Sequence, residues 1–295
     1  MKLLVTGSKG QVGWELQKRG ANRGMTVVGV DIEDIDIADK QAVEKLLGDV
    51  SADLVVNAAA YTAVDAAEEN AELAFNVNRD GPANLAIACR IGKRPLIHIS
   101  TDYVYGGDQK GAYLEDDPVS PLGVYAQSKA AGDKAVYGLL MEHIILRTAW
   151  VYGVHGHNFV KTMLRLGKER EQLSVVDDQT GCPTDAADLA DAILDIAQQI
   201  LQRNDFPWGI YHFCGGGQTT WYGFAKEIFK LAEPYESFSV NSVEPVPTSA
   251  YPRSARRPAN SVLDCSKITR VFDIVPRPWE ESLGDMLRRY YQKLE

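Results

Sequence analysis

A phenol, an ammonium and a hydroxyl are the side chains of this sequence best spaced to move a proton together. Tyr125 and Lys129 stand four residues apart, a separation that puts them on one helix face. Thr101 ends the segment Pro95-Leu-Ile-His-Ile99-Ser100-Thr101, whose apolar half reads as a buried strand. An ammonium beside a phenol favours the phenolate and lowers the phenol pKa from about 10. A phenol tuned in this way is a general acid for a carbonyl oxygen that accepts a hydride. Thr101 is placed to orient that oxygen, and Lys129 to hold a cofactor ribose as well. Spacing alone decides little, because Tyr222-Gly-Phe-Ala-Lys226 repeats it. The second pair reads as packing in the carboxy-terminal part of the chain.

What sets Tyr125 apart is the context that precedes it. Residues 2–6 form a short β-favouring run, followed by Gly7-Ser-Lys-Gly10-Gln11-Val12-Gly13 and an amphipathic stretch over 14–23. Strand, glycine-rich turn and helix together give such glycines a phosphate-binding meaning. Gly7 would make the tight turn, Gly10 would admit a pyrophosphate, and Gly13 would let the helix pack closely on the strand. The spacing is G-x-x-G-x-x-G rather than G-x-G-x-x-G, so a plain tight turn is the competing reading. A second strand over 26–30 ends at Asp31, where a carboxylate can bind ribose hydroxyls. Its charge accepts NADH and opposes the 2′-phosphate of NADPH. Lys9 and Arg19 offset part of that opposition, which leaves both cofactors open.

Strands at 53–57 and 95–99 alternate with helices over 40–47 and 71–91, the first capped by Asp39. Beyond the Tyr125 helix come strands at 143–147, 173–176 and 210–213, with helices over 158–167, 187–201 and 221–231. Alternation with short connections predicts an α/β fold, a Rossmann-type doubly wound parallel sheet. A smaller, partly discontinuous carboxy-terminal substrate lobe completes it, where prolines accumulate beyond Ala232 and a helix closes the chain over 279–291. The division expected is a dinucleotide-binding core over 1–150, with later returns to that core near 173–213. Residues 151–172 and 214–295 mainly form the substrate-binding lobe. In such sheets ligands lie at the carboxyl ends of the strands, the edge that carries Gly7, Asp31, the segment 57–60, Thr101 and Trp150.

The 295 residues carry a net charge of −9, which argues against a nucleic-acid partner, since that needs a basic face. No apolar run is long enough to span a bilayer, and the first residues are too short for a signal peptide, so no membrane role and a cytoplasmic location are expected. Cys89, Cys182, Cys214 and Cys265 make no C-x-x-C pair and read as buried apolar side chains in a reducing compartment. The five histidines show no ligand spacing; His155 and His157 read as loop residues, and no metal is expected.

The sequence resembles the extended short-chain dehydrogenase/reductase family through Gly7-x-x-Gly10-x-x-Gly13, Asn57-Ala-Ala-Ala60, Ser100-Thr101-Asp102-Tyr103-Val-Tyr105 and Tyr125-x-x-x-Lys129. Further matches to its nucleotide-sugar reductases are Arg147-Thr-Ala-Trp150, Asp178-Gln-Thr-Gly-Cys-Pro183-Thr184 and Arg257-Pro-Ala-Asn260. Gly123 and Ala131-Gly132-Asp133 depart from that pattern, where Asn and Leu-Gly-Glu are usual. The resemblance implies that Gly7, Gly10, Gln11, Val12, Gly13, Asp31, Asp36, Ile37, Ala59, Ala60, Tyr61, Tyr125 and Lys129 hold NADPH or NADH. It implies that Thr101, Asp102, Trp150, Arg257 and Asn260 contact a nucleotide sugar, with Thr101, Tyr125 and Lys129 catalytic. The implied reaction is reduction of dTDP-4-dehydro-β-L-rhamnose, the last step of dTDP-L-rhamnose biosynthesis, by a monomer or homodimer. Some members are associated with Mg²⁺ at acidic interface residues, and Glu15 is present, although no carboxylate cluster is visible in the sequence. The alternatives are another nucleotide-sugar reductase or epimerase of the family, or a non-catalytic dinucleotide-binding regulatory subunit like that of methionine adenosyltransferase.

Overall fold

The computed structural model describes residues 1–203 and 205–292. The chain opens with β1 (Lys2–Thr6), α1 (Gln11–Asn22), β2 (Thr26–Val30), α2 (Lys40–Asp49) and β3 (Leu54–Asn57). The short helices α3 (Val64–Ala67) and α4 (Ala71–Phe75) lead to α5 (Gly81–Ile91), β4 (Leu96–Thr101), α6 (Val124–Leu139) and β5 (His143–Thr148). Then follow β6 (Val151–Tyr152), α7 (Phe159–Glu169), β7 (Gln172–Val176), β8 (Thr180–Gly181), β9 (Thr184–Asp185), α8 (Ala186–Gln202) and β10 (Gly209–His212). The last elements are β11 (Thr219–Thr220), α9 (Trp221–Ala232), β12 (Ser242–Val246), α10 (Ser266–Phe272) and α11 (Trp279–Gln292).

Six parallel strands form the main sheet in the order β2-β1-β3-β4-β5-β10, and the order reverses between β1 and β3. Successive residues of the central strands feed opposite cores. Leu3, Val5, Val56, Ile97 and Leu146 face α1 and α8, where Leu16, Leu189 and Ile193 meet them. Leu4, Val55, Leu96 and Ile145 face α2, α5 and α6. Runs that are apolar at successive positions therefore require helices on both faces. Each such side chain contributes about 1.5–3 kcal/mol by leaving water, which fixes the register of the central strands. Arg23 ties α1 to α8 through Asp191 at 2.8 Å and Asp195 at 2.5 Å.

A separate core joins α7, α9 and α11 through Leu164, Phe224, Ile228 and Leu283. The strand expected at 173–176 lies here and does not return to the main sheet, because β7 pairs in parallel with β12. Its burial explains the difference: Leu173 and Val175 are covered while Gln172 and Ser174 are exposed. A strand with one wet face cannot sit in a sheet covered on both sides. α8 and β10 do return to the first core, and so does α10, through Ile268 and Phe272.

The helix expected over 71–91 is interrupted. α4 and α5 are separated by one π-helical turn, Asn76–Asp80. Pro82 has no N–H to give the Asn78 carbonyl four residues back. A Cβ on Gly132 would collide with that same carbonyl oxygen, so a glycine in α6 is what lets the two helices approach.

Candidate active site

The carboxyl ends of the sheet open into a cavity of about 770 Å³ between the glycine-rich turn and α6. Gly7 stands at φ +70°, and a Cβ there would lie 2.5 Å from the Ala59 nitrogen, so the turn needs glycine on both counts. Gly13 does not line the cavity; a side chain there would run into the Gly7 carbonyl, which makes it the helix–strand packing residue. Gly10 is the N-cap of α1 and brings no side-chain acceptor. The first-turn N–H groups are thus available to an anion in the cavity. Gly7, Gly10, Gln11, Val12, Asp31, Asp36, Ile37, Ala59, Ala60 and Tyr61 all line it.

Asp31 accepts the Lys9 N–H at 2.7 Å and the Ile32 N–H at 2.9 Å. The Lys9 ammonium is drawn away to Glu33 at 3.1 Å. Behind Ala59, Asn57 takes the Thr6 hydroxyl at 2.7 Å and the Ala59 N–H at 3.1 Å, fixing the small-residue segment against the turn.

Thr101, Tyr125 and Lys129 face the same cavity. Glu68 accepts the Val124 N–H at 2.9 Å and so starts α6 where residue 123 offers no capping side chain. Lys129 is buried and donates to the Ile99 carbonyl at 2.7 Å. Burial pulls its ammonium down to about 8, with Asp133 opposing that shift. The Tyr125 phenol is not depressed as expected. Burial pushes it up to about 12, only partly countered by its hydrogen bond with Thr101. Desolvation outweighs any ammonium effect because Lys129 is committed to a backbone carbonyl, and the phenol is held protonated.

Thr101 donates to Asp102 at 3.0 Å and accepts the Tyr103 N–H at 3.2 Å, which leaves its hydroxyl little freedom. Asp102 is buried, and burial lifts its carboxyl to about 7. Trp150 holds φ +45°, a conformation uncommon for a bulky residue and of the kind found at functional sites. Its indole stacks on Trp221 with centroids 3.5 Å apart.

Trp221 also lines a second cavity of about 970 Å³, with Phe159, Tyr251, Arg253, Arg256 and Arg257. Arg257 is here, but paired with Asp65 at 2.8 Å, which holds that carboxyl below its usual range. Asn260 lines neither cavity. It donates to the Gln109 and Gly111 carbonyls at 2.9 and 2.6 Å and accepts the Val262 N–H at 3.1 Å. Its groups are spent on bracing two loops, so the expected ligand contact is corrected to a structural one. Tyr222 and Lys226 lie on α9, with the Lys226 ammonium 5.5 Å from the Tyr222 ring, outside both cavities.

Two supports were missed in the sequence. Asn78, buried in the π-helical turn, bonds both the Tyr61 N–H (2.8 Å) and carbonyl (3.0 Å), and the Ser128 hydroxyl (3.0 Å). It couples the cavity-lining Tyr61 loop to the helix of Tyr125, and Pro82 is the available signal. Beneath the site, Arg147 bonds Asp133 at 3.1 Å and the Tyr105 hydroxyl at 2.7 Å, which meets His212 at 2.7 Å.

The acidic position Glu15 does not suit Mg²⁺. Its buried carboxylate is taken by Arg19 at 3.0 Å and Arg289 at 3.2 Å, and Arg289 also pairs with Asp185. Guanidinium groups already supply the positive charge. Among the described residues, no group of three or more His, Cys, Asp or Glu is disposed to hold a metal, and no helix is long and apolar enough to cross a membrane.

The family described as RmlD substrate binding domain matches residues 1–292. A dTDP-4-dehydrorhamnose reductase of Aggregatibacter actinomycetemcomitans is 42% identical over 287 residues, covering 97% of this chain and 98% of its own length. A crystal structure of a dTDP-4-dehydrorhamnose reductase from Clostridium acetobutylicum superposes with a TM-score of 0.91 at 39% identity, covering 98% of this chain and 99% of that one. Another from Bacillus anthracis, in complex with NADP, gives 0.90 at 36% identity over the same shares.

Proposed function

The chain belongs to the RmlD substrate binding domain family, and on that premise we propose that it reduces dTDP-4-dehydro-β-L-rhamnose to dTDP-L-rhamnose with NADPH or NADH. One observation carries the reading. Thr101, Tyr125 and Lys129 share a cavity with the glycine-rich turn, and Trp221 joins that cavity to a second one rich in aromatic and guanidinium groups. In this reading residues 1–150 mainly hold the dinucleotide, and 151–172 with 214–295 mainly hold the sugar nucleotide, 293–295 lying outside the described residues. It acts as a monomer or homodimer in the cytoplasm, a setting supported by four cysteines that are all free thiols.

A bound nicotinamide supplies the hydride for the sugar carbonyl carbon. Tyr125 gives its proton to the carbonyl oxygen as negative charge develops there. A phenol held up to about 12 remains a proton donor at neutral pH, and an alkoxide is a strong enough base to take that proton. Lys129 then stabilises the phenolate electrostatically, and Thr101 orients the accepting oxygen by turning its hydroxyl proton from Asp102 to that oxygen. Asp102 and Trp150 contact the sugar. The N–H groups of Arg257 not engaged by Asp65, with Arg253 and Arg256, bind the diphosphate, while Phe159 and Tyr251 flank the base.

Because the Lys129 ammonium is pulled down to about 8, it is charged below that pH and neutral above it. The expected kcat/KM is therefore flat at neutral pH and falls as pH rises past about 8. A pH–rate profile of the wild-type enzyme checks this, and Lys129→Arg should move the fall to higher pH. A flat profile through pH about 9.5 contradicts the role given to Lys129.

Asp31, with Glu33 holding the Lys9 ammonium, puts negative charge where a 2′-phosphate would lie. Asp31→Asn keeps an acceptor for the Lys9 N–H while removing that charge. It should raise the NADPH-to-NADH ratio of kcat/KM about tenfold, the equivalent of about 1.4 kcal/mol. Steady-state kinetics with both cofactors measure it, and an unchanged ratio would remove Asp31 from cofactor selection.

The overall reading is tested by following nicotinamide absorbance with dTDP-, GDP- and UDP-linked 4-keto sugars. Turnover should be fastest with dTDP-4-dehydro-β-L-rhamnose; preference for a GDP or UDP sugar would reassign the substrate.

A further inference from the structure

Three of the four cysteines, distant in sequence, meet in one small core. Cys182 follows β8, Cys214 lies just past β10, and Cys265 stands at the N-cap of α10. They pack with Val262, Leu263, Val104 and Tyr105. The Cys214 and Cys265 sulfurs are 3.5 Å apart across 51 positions of sequence. Cys182 lies in the same cluster, and the Cys214 thiol donates to the Leu263 carbonyl at 3.8 Å. Cys214 is buried while Cys265 is only half-buried, so a small reagent would reach the pair from the Cys265 side. Cys89 lies in the other core, between sheet and helices, where burial raises its thiol to about 12.

We infer that Cys214 and Cys265 form a thiol-modification site that closes to a reversible disulfide on exposure to a peroxide. A disulfide is about 2.05 Å long, so the sulfurs need approach by only about 1.5 Å. The motion falls on the first turn of a seven-residue helix. The chemistry balances without another reactant. The Cys265 thiolate attacks one peroxide oxygen and the O–O bond breaks, giving a sulfenic acid and, after protonation, water. The Cys214 sulfur then attacks the Cys265 sulfur, the S–O bond breaks, and the departing hydroxide leaves as water with the Cys214 proton. Two thiols lose two electrons and the peroxide gains them. The sulfur neighbours Cys182 and Cys265, and then burial, hold the Cys214 thiol well above the ordinary range. Cys265, the only half-buried thiol of the cluster, meets the peroxide and is the first to be oxidised.

The test treats the folded chain with hydrogen peroxide, unfolds it, alkylates the remaining thiols, and reads intact mass and linked peptides. Alkylatable thiols should fall from four to two, with a Cys214–Cys265 cross-linked peptide, and dithiothreitol should restore all four. The Cys89→Ser and Cys182→Ser variants should still lose two thiols, whereas Cys265→Ala should lose none. Three results overturn the inference: four persistent thiols, a Cys182–Cys214 cross-link in its place, or sulfinic acid on Cys265 with Cys214 still free. Should a variant fail to fold, the wild-type peptide map alone decides among these results.

Discussion

Replacing Tyr125 by Phe is expected to lower kcat about 10²–10⁴-fold, the range a positioned general acid supplies. Fold and cofactor affinity should stay near wild type. The ring keeps its place, since its packing is with Tyr103, edge-on at 5.8 Å between centroids. What disappears is a buried hydroxyl that shares a hydrogen bond with Thr101. Loss of one such bond removes only about 0.5–1.5 kcal/mol of stability, small beside the roughly 3–5 kcal/mol of barrier that the rate loss represents. Rate and stability are thus expected to separate. Tyr222→Phe, with the same i, i+4 lysine but outside both cavities, serves as the control and should leave kcat unchanged. Steady-state kinetics and a thermal melt on the two variants measure all of this. A Tyr125→Phe enzyme with wild-type turnover would move the proton donor elsewhere.

Arg147→Met should destabilise the protein by about 3–5 kcal/mol, the cost of leaving one partner of a buried ion pair uncompensated. Arg147 and Asp133 are both almost wholly buried between β5 and α6. The pair is made at 3.1 Å, with a second Arg147 bond to Tyr105 at 2.7 Å. His98 cannot take over, because burial keeps it neutral, well below its ordinary pKa, and its nearest nitrogen is 3.8 Å from Asp133. A domain's whole stability is about 5–15 kcal/mol, so the urea midpoint should fall by a large part. A double variant with Asp133→Leu removes the stranded charge and should recover most of that loss. A loss below about 1 kcal/mol in the single variant would mean that the pair is solvated in solution.

The parts legible in the sequence were those written in local pattern. The β1 run, the Gly7–Gly13 turn and the Asp31 strand end are continuous segments whose physics is complete within about thirty residues, and each stands where expected. Tyr125 and Lys129 were legible because helical spacing fixes their common face. The electrostatics of that face were not. Spacing suggests a lowered phenol pKa, but burial acts in the opposite direction, and only the packed structure shows that Lys129 bonds the Ile99 carbonyl. Asn78 escaped notice for a related reason: its role depends on a helix interruption whose only local trace is Gly81-Pro82. The run at 173–176 predicts a return to the main sheet, whereas β7 pairs with β12, because a short apolar run does not announce its partner, although the exposed Gln172 and Ser174 mark a strand with one wet face. Three thiols separated by tens of residues likewise read as unrelated until folding placed them together.

The proposed reaction reduces the sugar carbonyl at C4 of a dTDP-linked substrate. The most direct measurement uses NADPH deuterated at nicotinamide C4, on the face that is transferred, with dTDP-4-dehydro-β-L-rhamnose and analysis of the product by NMR. Deuterium should appear at C4 of dTDP-L-rhamnose, one atom per nicotinamide oxidised, and at no other sugar carbon. Nicotinamide oxidation without deuterium at C4, or unchanged keto sugar after prolonged incubation with active cofactor, would rule out hydride transfer to C4.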